Sequence, residues 1–465
     1  MKKLCDLLNC NIDIDILGIA DDSRNVRDGF LFVATKGFYV DHFDYIDDAI
    51  KNGAVCVVAD RFIDVSVPFF VVNNINEYYI SLCERFYDVT SSEFRFIGVT
   101  GTDGKTTTTS VVNQILSGVL RSACIGTNGV IIDDKYLPTN NTTPCVSELL
   151  ESLKVIKSKK CKHVIMEVSS EALLHDRLKN FKYDIVAFTN ITEDHLNVHK
   201  TIENYRNCKF KLLDLVKDDG YVIVNGDDEN CRLIDVNNVY TIGMNDDNYF
   251  RIVDVKENNK SVKFTIIVDE KKYRIFSPLL GLYNVYNVGM AFAICYLFGI
   301  NIDYLIKSIR KLKPVMGRRE YINFGQNFDI ILDYAHTYNG IKSIIESVSH
   351  YKKIITVTGA AGGREKEKRR KIGELVLDKS DVSIFTMDDP RYENVDDIID
   401  QMVGDTKKEY IRIIDRRKAI YKALSMADSD SIVLIIGKGR DNYMAIEDRK
   451  EVYCDFDVIY DYFNG

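Results

Sequence analysis

The run Gly98-Val99-Thr100-Gly101-Thr102-Asp103-Gly104-Lys105-Thr106-Thr107 decides how the rest of this 465-residue chain is read. Apolar residues 94–99 lead into it, and a helix-compatible segment, 107–120, follows. Strand, glycine turn, lysine, hydroxyl residue and helix is the layout of a phosphate-binding loop. The glycines let backbone N–H groups point at phosphate oxygens, and the helix N-terminus adds partial positive charge. Lys105 is placed to reach the outer phosphates and the Thr106 hydroxyl to ligate Mg²⁺. The spacing departs from the common form. No glycine stands five positions before Gly104, and the compact Gly101-x-x-Gly104-Lys105-Thr106 takes its place. The loop implies ATP or GTP, without saying what the energy is used for.

The length allows about two to four domains, each able to bury its own core. A hydrophobic fraction of 46% with 28% charged residues is that of a soluble globular protein. The net charge of -8 favours neither nucleic acid nor an anionic membrane as a partner. The 11 cysteines are scattered, with no Cys-x-x-Cys pair, which implies reduced thiols in a cytoplasm. Met1-Lys2-Lys3 opens like a signal peptide, but Asp6, Asn9 and Asp13 interrupt any apolar core. The apolar run 288–300 is too short to span a bilayer and reads as a buried helix. A cytoplasmic monomer is expected.

The alternation of apolar and helical segments predicts an α/β fold in three parts. Residues 1–92 read as a small α/β unit, with strands near 30–34, 54–59 and 68–72, helices near 42–52 and 77–87, and a polar boundary at 90–93. Asp22-Ser23-Arg24 reads there as a turn capped by the serine, and Phe38 and Tyr39 as rings free to stack on a flat ligand. In the middle region, 93–315, the continuous apolar runs 163–168 and 185–190 fit central strands of a parallel sheet. Each ends in a polar cluster, Glu167-Val168-Ser169-Ser170 and Thr189-Asn190-Ile191-Thr192-Glu193-Asp194-His195. Functional groups of open α/β sheets collect at such carboxyl ends. A glutamate ending an apolar strand needs a cation or partner, so Glu167 and His195 read as Mg²⁺ ligands or their supports. Lys209, in a helical stretch, reads on its own as a solvated face. Three β-like runs, near 249–255, 262–268 and 273–276, read as an antiparallel addition at the sheet edge. Asn284 and Asn287 share a helix face, either to read an adenine edge or to cap the helix.

Residues 316–465 alternate again, with strands near 328–332, 354–358, 382–387 and 432–436, as a Rossmann-like unit. Its strand ends carry Asp333-Tyr334-Ala335-His336, Arg364, Asp388-Asp389-Pro390-Arg391 and Gly437-Lys438-Gly439-Arg440-Asp441. Arginines and carboxylates on one rim suit a zwitterionic ligand, because arginine grips a carboxylate bidentately and aspartate takes an amine. The mixed-charge run 365–371 reads as a solvated helix face.

Taken in order, these motifs resemble the Mur ligases of peptidoglycan synthesis, especially the branch that makes the UDP-N-acetylmuramoyl-tripeptide. Gly101 to Thr107 is similar to that family's ATP loop, whose usual asparagine is here Asp103. Asn141-Thr142-Thr143-Pro144, Glu167 to Ser170 with Arg177, Thr192 to His195, and Tyr205 to Lys209 match its central motifs. Gly317-Arg318-Arg319-Glu320 and Asp333-Tyr334-Ala335-His336-Thr337 match the entry to its last domain. The resemblance implies a three-domain architecture with a central P-loop ATPase sheet and a Rossmann-like C-terminal domain. It implies ATP on Gly101, Thr102, Asp103, Gly104, Lys105, Thr106 and Thr107, with Asn284 or Asn287 near adenine, Asp333 at the ribose and Arg318 facing the γ-phosphate. Mg²⁺ would sit on Thr106, Glu167, His195 and Lys209, the last carried as a carbamate (N6-carboxylysine). Lys105, Lys209, Glu167, His195 and Arg318 would form the catalytic set. Ser23 and Arg24 would contact the uridine nucleotide, and Thr142, Thr143, Ser169 and Arg177 the muramoyl-dipeptide. Arg364, Asp388, Asp389, Pro390, Arg391, Gly437 and Asp441 would hold the incoming amino acid, with Arg391 on the distal carboxylate of meso-diaminopimelate.

Apart from Asp103, the departures fall at the acceptor rim and in part of the substrate cleft. Arg440 and Asp441 stand where Gly-Lys-Gly-His-Glu usually ends, Tyr338 where a proline follows, and Glu171-Ala172 where His-Gly or His-Ala is usual. The resemblance therefore implies an ATP-dependent amide ligase acting on UDP-muramoyl-alanyl-glutamate. A paralogue using L-lysine, or another carboxylate as in folylpolyglutamate and cyanophycin synthetases, is the alternative within the class. A nucleotide-hydrolysing switch without ligation is the alternative outside it.

Overall fold

The computed structural model describes residues 1–37, 40–258 and 260–465. Phe38 and Tyr39, expected to stack on a ligand, lie outside the described residues. Among the described residues the chain forms three large sheets and two small two-stranded ones. The first is four-stranded and parallel, in the order Gly18–Ala20, Phe30–Val33, Ala54–Ala59 and Phe69–Val71. Its covering helix, Ile75–Tyr87, buries Tyr79, Leu82, Cys83 and Phe86 and packs on the helix Val146–Ser158 of the central unit. One apolar core, including Leu31, Val58, Tyr79, Phe96, Leu149 and Phe188, runs through both units. The segment 90–93 is therefore a tight capped turn, with a reciprocal Thr90–Glu93 capping box and a Lys157–Glu93 ion pair at 2.6 Å. At the Asp22 turn the aspartate makes the cap, accepting from the Arg24 N–H, and Ser23 opens the short helix Ser23–Asn25.

The central sheet has 11 strands. Its middle is parallel, and the order that matters is His163–Glu167, then Arg95–Thr100, then Tyr183–Phe188. The strand feeding the glycine loop thus lies between the two strands whose polar ends stood out in the sequence. Glu167 pairs in register with Val99, and Phe188 with Thr100. All three loops consequently leave the sheet at the same edge. The antiparallel addition is Phe250–Asn258, Ser261–Val268 and Lys271–Ser277, on the far side from a second antiparallel pair, Gly129–Ile132 with Lys135–Leu137. The apolar helix Leu282–Leu297 is buried beneath the sheet, as its all-round hydrophobicity requires.

The C-terminal sheet has six strands, Glu320–Tyr321, Asp329–Asp333, Ser431–Ile436, Lys353–Thr358, Val382–Phe385 and Ile411–Arg412, parallel except for the first. It separates two apolar layers. The run 365–371 is only partly solvated: the helix Lys366–Lys379 buries Arg369, whose guanidinium binds Glu393 and Gln401 at 2.6–2.9 Å. A periodicity reading misses this because a guanidinium can be buried wherever a facing carboxylate receives it. Among the described residues, no helix is long and apolar enough to cross a membrane.

Candidate active site

A cleft of about 810 Å³ lies where the central and C-terminal sheets present their strand ends to each other. Its central wall is the glycine loop. Gly101 has φ +151° and Gly104 +85°, and a Cβ would strike the Thr189 hydroxyl at the first and the Asn287 carboxamide at the second. The left-handed Gly104 lets the helix begin at Lys105, two residues before the sequence suggested, and run Lys105–Leu116. Thr106 and Thr107 occupy its buried first turn. Thr102 ties the loop to its neighbour, donating to the Thr192 carbonyl (3.1 Å) and accepting from the Thr192 N–H (3.0 Å).

At the loop's mouth several groups meet. The Thr106 hydroxyl lies 2.9 Å from Glu167 Oε2 and accepts from Arg318 at 3.0 Å. Glu167 also takes the Thr127 N–H at 2.9 Å and the Thr127 hydroxyl at 3.1 Å. Thr127 carried no signal in the sequence. Lys105 curls onto its own loop, donating to the carbonyls of Gly101 (2.9 Å) and Thr102 (2.8 Å). Burial pulls its ammonium below the usual lysine range, against the attraction of Glu167 and Asp103.

Lys209 is 1% exposed rather than solvated. It donates to the Gly101 carbonyl at 2.8 Å and lies 4.5 Å from the centre of the Tyr205 ring. Burial, with Lys105 nearby, holds its amine well below the ordinary range. His195 sits in left-handed backbone (φ +54°), and its Nδ1 is 3.0 Å from the Arg364 guanidinium. Burial lowers its pKa to about 3, so the ring is neutral at pH 7. Arginine can only donate, so Nδ1 is the accepting nitrogen and Nε2 carries the proton. Lys105, Thr106, Glu167, His195, Lys209 and Arg318 thus all line one cleft. Only Thr106, Glu167 and Arg318 are in direct contact, whereas His195 is engaged by Arg364 and Lys209 by the loop carbonyl. Among the described residues no three His, Cys, Asp or Glu side chains form a ready-made metal cluster. The hydroxyl and carboxylate oxygens of Thr106 and Glu167 do fit Mg²⁺, which is held by one or two carboxylates together with substrate phosphates.

Ile242, Leu279 and Met290 also wall the cleft, with Asn284 and Asn287 beside the loop. Asn287 donates to Asn284 at 3.1 Å, and Asn284 to the Leu280 carbonyl at 2.7 Å. Asp333 lines the cleft while accepting the N–H groups of Arg319 and Ala335, both at 2.6 Å.

Thr142, Ser169 and Arg177 line the opposite side. Thr143 is fully buried behind them, its hydroxyl donating to the Glu167 carbonyl (2.7 Å) and accepting the Ser169 N–H (2.9 Å). Ser169 caps the helix Ser170–Leu174. Ser23 and Arg24 do not line this cleft; Arg24 is exposed on the first unit and paired with Asp22 at 2.6 Å.

On the C-terminal rim Arg364, Arg391 and Asp441 face the cleft. Asp388, Asp389, Pro390 and Gly437 lie beneath it. The fully buried Lys438 draws three carboxylates together: Asp389 at 2.8 Å, Asp441 at 3.6 Å and Asp388 at 3.9 Å. Gly437, at φ +119°, brings its backbone against the Asp388 carboxylate. The Gly362 N–H donates to the Asp389 carbonyl (2.9 Å), which seats the Arg364 loop on this support. Burial pushes the Asp441 carboxyl up to about 6, despite Lys438. Arg440 also lines the cleft, its guanidinium forked onto Glu320 at 2.6–2.9 Å and stacked 3.4 Å over Phe456. A further clamp joins the two walls: Lys368 meets Asp194 at 2.8 Å, and the Asn197 N–H donates to Glu365 at 3.1 Å. Burial alone would raise the Asp194 carboxyl, but His336, His195 and Lys368 hold it well below the usual range.

Comparison with known proteins agrees with this arrangement. Residues 99–295 match the Mur ligase middle domain, 317–439 the glutamate ligase domain of Mur ligases, and 14–90 the domain described as "Mur ligase family, catalytic domain". A Caldanaerobacter subterraneus subsp. tengcongensis protein, UDP-N-acetylmuramoyl-L-alanyl-D-glutamate--2,6-diaminopimelate ligase, is 35% identical over 452 residues, covering 94% of this chain and 93% of its own. The chain belongs to the Mur ligase family. A Bacillus cereus ligase of the same name is 33% identical, with 97% of this chain and 96% of the relative covered. A solved structure under that name superposes with a TM-score of 0.64 at 25% identity, covering 100% of this chain and 99% of the other. The Thermotoga maritima MurF ligase in complex with ADP shares the fold, with a TM-score of 0.65 at 20% identity and coverage of 90% and 93%.

Proposed function

We propose that this Mur ligase adds an amino acid, meso-diaminopimelate by preference, to the glutamate carboxylate of UDP-N-acetylmuramoyl-L-alanyl-D-glutamate, at the expense of ATP. In this reading residues 1–92 receive the UDP end through Ser23 and Arg24, 93–315 hold ATP, and 316–465 bring the amino acid. The observation that carries it is the meeting of Glu167 and, from the C-terminal unit, Arg318 at the Thr106 hydroxyl, in the cleft that Lys105 also lines. A carboxylate and an arginine from opposite walls meeting at the hydroxyl of a phosphate loop suit phosphoryl transfer, in which catalysis is positioning and charge stabilisation.

The substrate carboxylate attacks the γ-phosphorus, the bond to the β-bridging oxygen breaks, and an acyl phosphate and ADP result. Lys105 and Arg318 stabilise the charge spreading over the transferred oxygens. Mg²⁺, on Thr106, Glu167, His195 and a carbamylated Lys209, would supply further neutralisation of phosphate charge. The depressed amine of Lys209 supports that modification, because only a neutral amine adds to carbon dioxide and the resulting anion would relieve the crowding with Lys105. The amine of the incoming amino acid then attacks the acyl carbon, phosphate leaves, and the nitrogen gives up a proton. Arg391 and Arg364 would hold the carboxylates of the acceptor, and Asp441 an ammonium. The eleven free thiols suit a cytoplasmic setting, and we read the working unit as a monomer.

The test is the purified protein with ATP, Mg²⁺ and UDP-muramoyl-alanyl-glutamate against a panel of amino acids, read by mass spectrometry. A mass gain with diaminopimelate alone supports the proposal. A gain with lysine alone would reassign the acceptor, and ATP hydrolysis without any ligated product would replace the ligase with a switch.

A further inference from the structure

Asp103 is the one acidic residue in the phosphate loop, and its carboxylate would repel the phosphates if it faced them. Its backbone is held entirely by the central unit: the N–H donates to Asn190 Oδ1 (2.9 Å), and the carbonyl accepts the Thr189 hydroxyl (2.6 Å) and the Asn190 carboxamide (3.1 Å). The side chain leaves the loop and meets the other domain. The Thr337 hydroxyl lies 3.0 Å from Asp103 Oδ2 and 3.2 Å from Oδ1. That hydroxyl, 2% exposed as a residue, caps the helix Tyr338–Glu346 and accepts the Gly340 N–H at 3.0 Å. Gly340 packs close by, its Cβ position lying 3.7 Å from Asp103 Oδ1. A relay thus runs from a helix amide through a buried hydroxyl to a carboxylate in the ATP loop. Each step is oriented, because the hydroxyl must donate toward the only group that can solely accept. The helix N-terminus favours the negative charge in its own right.

We propose that Asp103 is a positioning residue that couples the ATP loop to the C-terminal domain, holding the Thr337 helix against the loop in the closed arrangement while leaving nucleotide affinity to the backbone and Lys105. The inference rests on the ligase reading for its kinetic consequence but not for its structural one. The loop that carries Thr337 also carries Asp333 and His336, and the neighbouring Arg318 reaches Thr106. Closure sensed at Asp103 is therefore closure of the wall that completes the phosphate site. An asparagine there would offer Thr337 an acceptor without the charge, so the aspartate of this chain makes the stronger, charge-assisted form of the contact.

The experiment uses the full-length enzyme and five variants: Asp103→Asn, Asp103→Ala, Thr337→Ser, Thr337→Val and the Asp103→Ala/Thr337→Val double variant. ADP affinity is measured by calorimetry, ligation by steady-state kinetics and compactness by small-angle X-ray scattering. Asp103→Ala and Thr337→Val should each lower ligation kcat about tenfold, with ADP affinity kept within about twofold, as loss of one charge-assisted hydrogen bond implies. The double variant should be no worse than either single one, the mark of a shared contact. Thr337→Ser should restore the rate, Asp103→Asn should fall between, and scattering should show Asp103→Ala more extended than the parent. Because Thr337→Val also removes a helix cap, Asp103→Ala, which leaves that cap intact, decides the matter if the valine variant misfolds. Additive losses, or altered ADP affinity in Asp103→Ala with Thr337→Val silent, would overturn the proposal by assigning Asp103 to the nucleotide. If the parent makes no product with any amine, the ligase reading fails, while scattering and ADP binding still judge the coupling.

Discussion

The two ends of the cleft are built differently. At the phosphate end, Gly101 to Thr107 and Glu167 come from adjacent parallel strands in register, and the chemistry is carried by residues next to one another in sequence or across one ladder. At the proposed acceptor rim, Arg364, Arg391 and Asp441 come from three separate loops above a buried lysine, Lys438, that does not line the cleft and gathers three carboxylates. The first kind of site tolerates little variation, because backbone amides and sheet register do the positioning. The second can be retuned one residue at a time. The departures from the family pattern include Arg440 and Asp441 at the second end, where Arg440 forks onto Glu320, and Asp103 in the loop of the first.

Variants should separate the two ends. The largest effect is expected from Glu167→Gln, which removes the charge that faces Thr106: kcat should drop about a thousandfold, the scale of losing one electrostatic stabiliser at a reacting phosphoryl group, with thermal stability barely moved. Lys209→Ala should cost about a hundredfold in kcat, and intact-mass spectrometry of the parent at raised bicarbonate should show a gain of one carbon dioxide that the variant lacks. At the seam between the ends, Lys368→Ala should raise the acceptor KM about tenfold, since it leaves Asp194 buried without its lysine; stopped-flow ADP binding should be unaffected.

Acidity should touch the rim alone. Asp441 has a carboxyl raised to about 6, so it is neutral below that pH and anionic above it. An ammonium is held only by the anion, so the acceptor KM should rise as pH falls through 6, about tenfold per unit at the acid limit, while the ATP KM stays level. Asp441→Asn should flatten that profile. The smallest effect is expected from Arg440→Ala. Its largely buried fork to Glu320 is worth about 2 kcal/mol, so the melting temperature should fall by about 4 °C and kcat should change little.

Much of the phosphate end was legible in the sequence because its signals are local: an apolar strand, glycines before a lysine, and polar residues ending buried runs. The acceptor rim was legible as a set of motifs but not as a mechanism of support. Lys368 reads as a solvated lysine and Lys438 as one member of a rim motif until the fold brings Asp194 and Asp389 to them across 174 and 49 residues. Arg369 was hidden in a run that reads as solvated, since periodicity records polarity and not partnership. Lys209 reads as solvated from its helix alone, and only the resemblance places it in the site, because a lone lysine on a polar helix says nothing of the loop carbonyl and tyrosine ring that enclose it. The seam itself, from Thr337 to Asp103, was half visible: Asp103 stands out against the usual asparagine of the ATP loop, but nothing in the sequence says that it meets Thr337.

The most direct test of the ligase reading follows oxygen. UDP-muramoyl-alanyl-glutamate labelled with ¹⁸O in its acceptor carboxylate is incubated with enzyme, ATP, Mg²⁺ and diaminopimelate, and the released phosphate is analysed by mass spectrometry. Passage through an acyl phosphate requires one ¹⁸O in each phosphate released. Unlabelled phosphate would mean that water, not the carboxylate, attacks ATP, and would contradict the assignment of the cleft as a ligase.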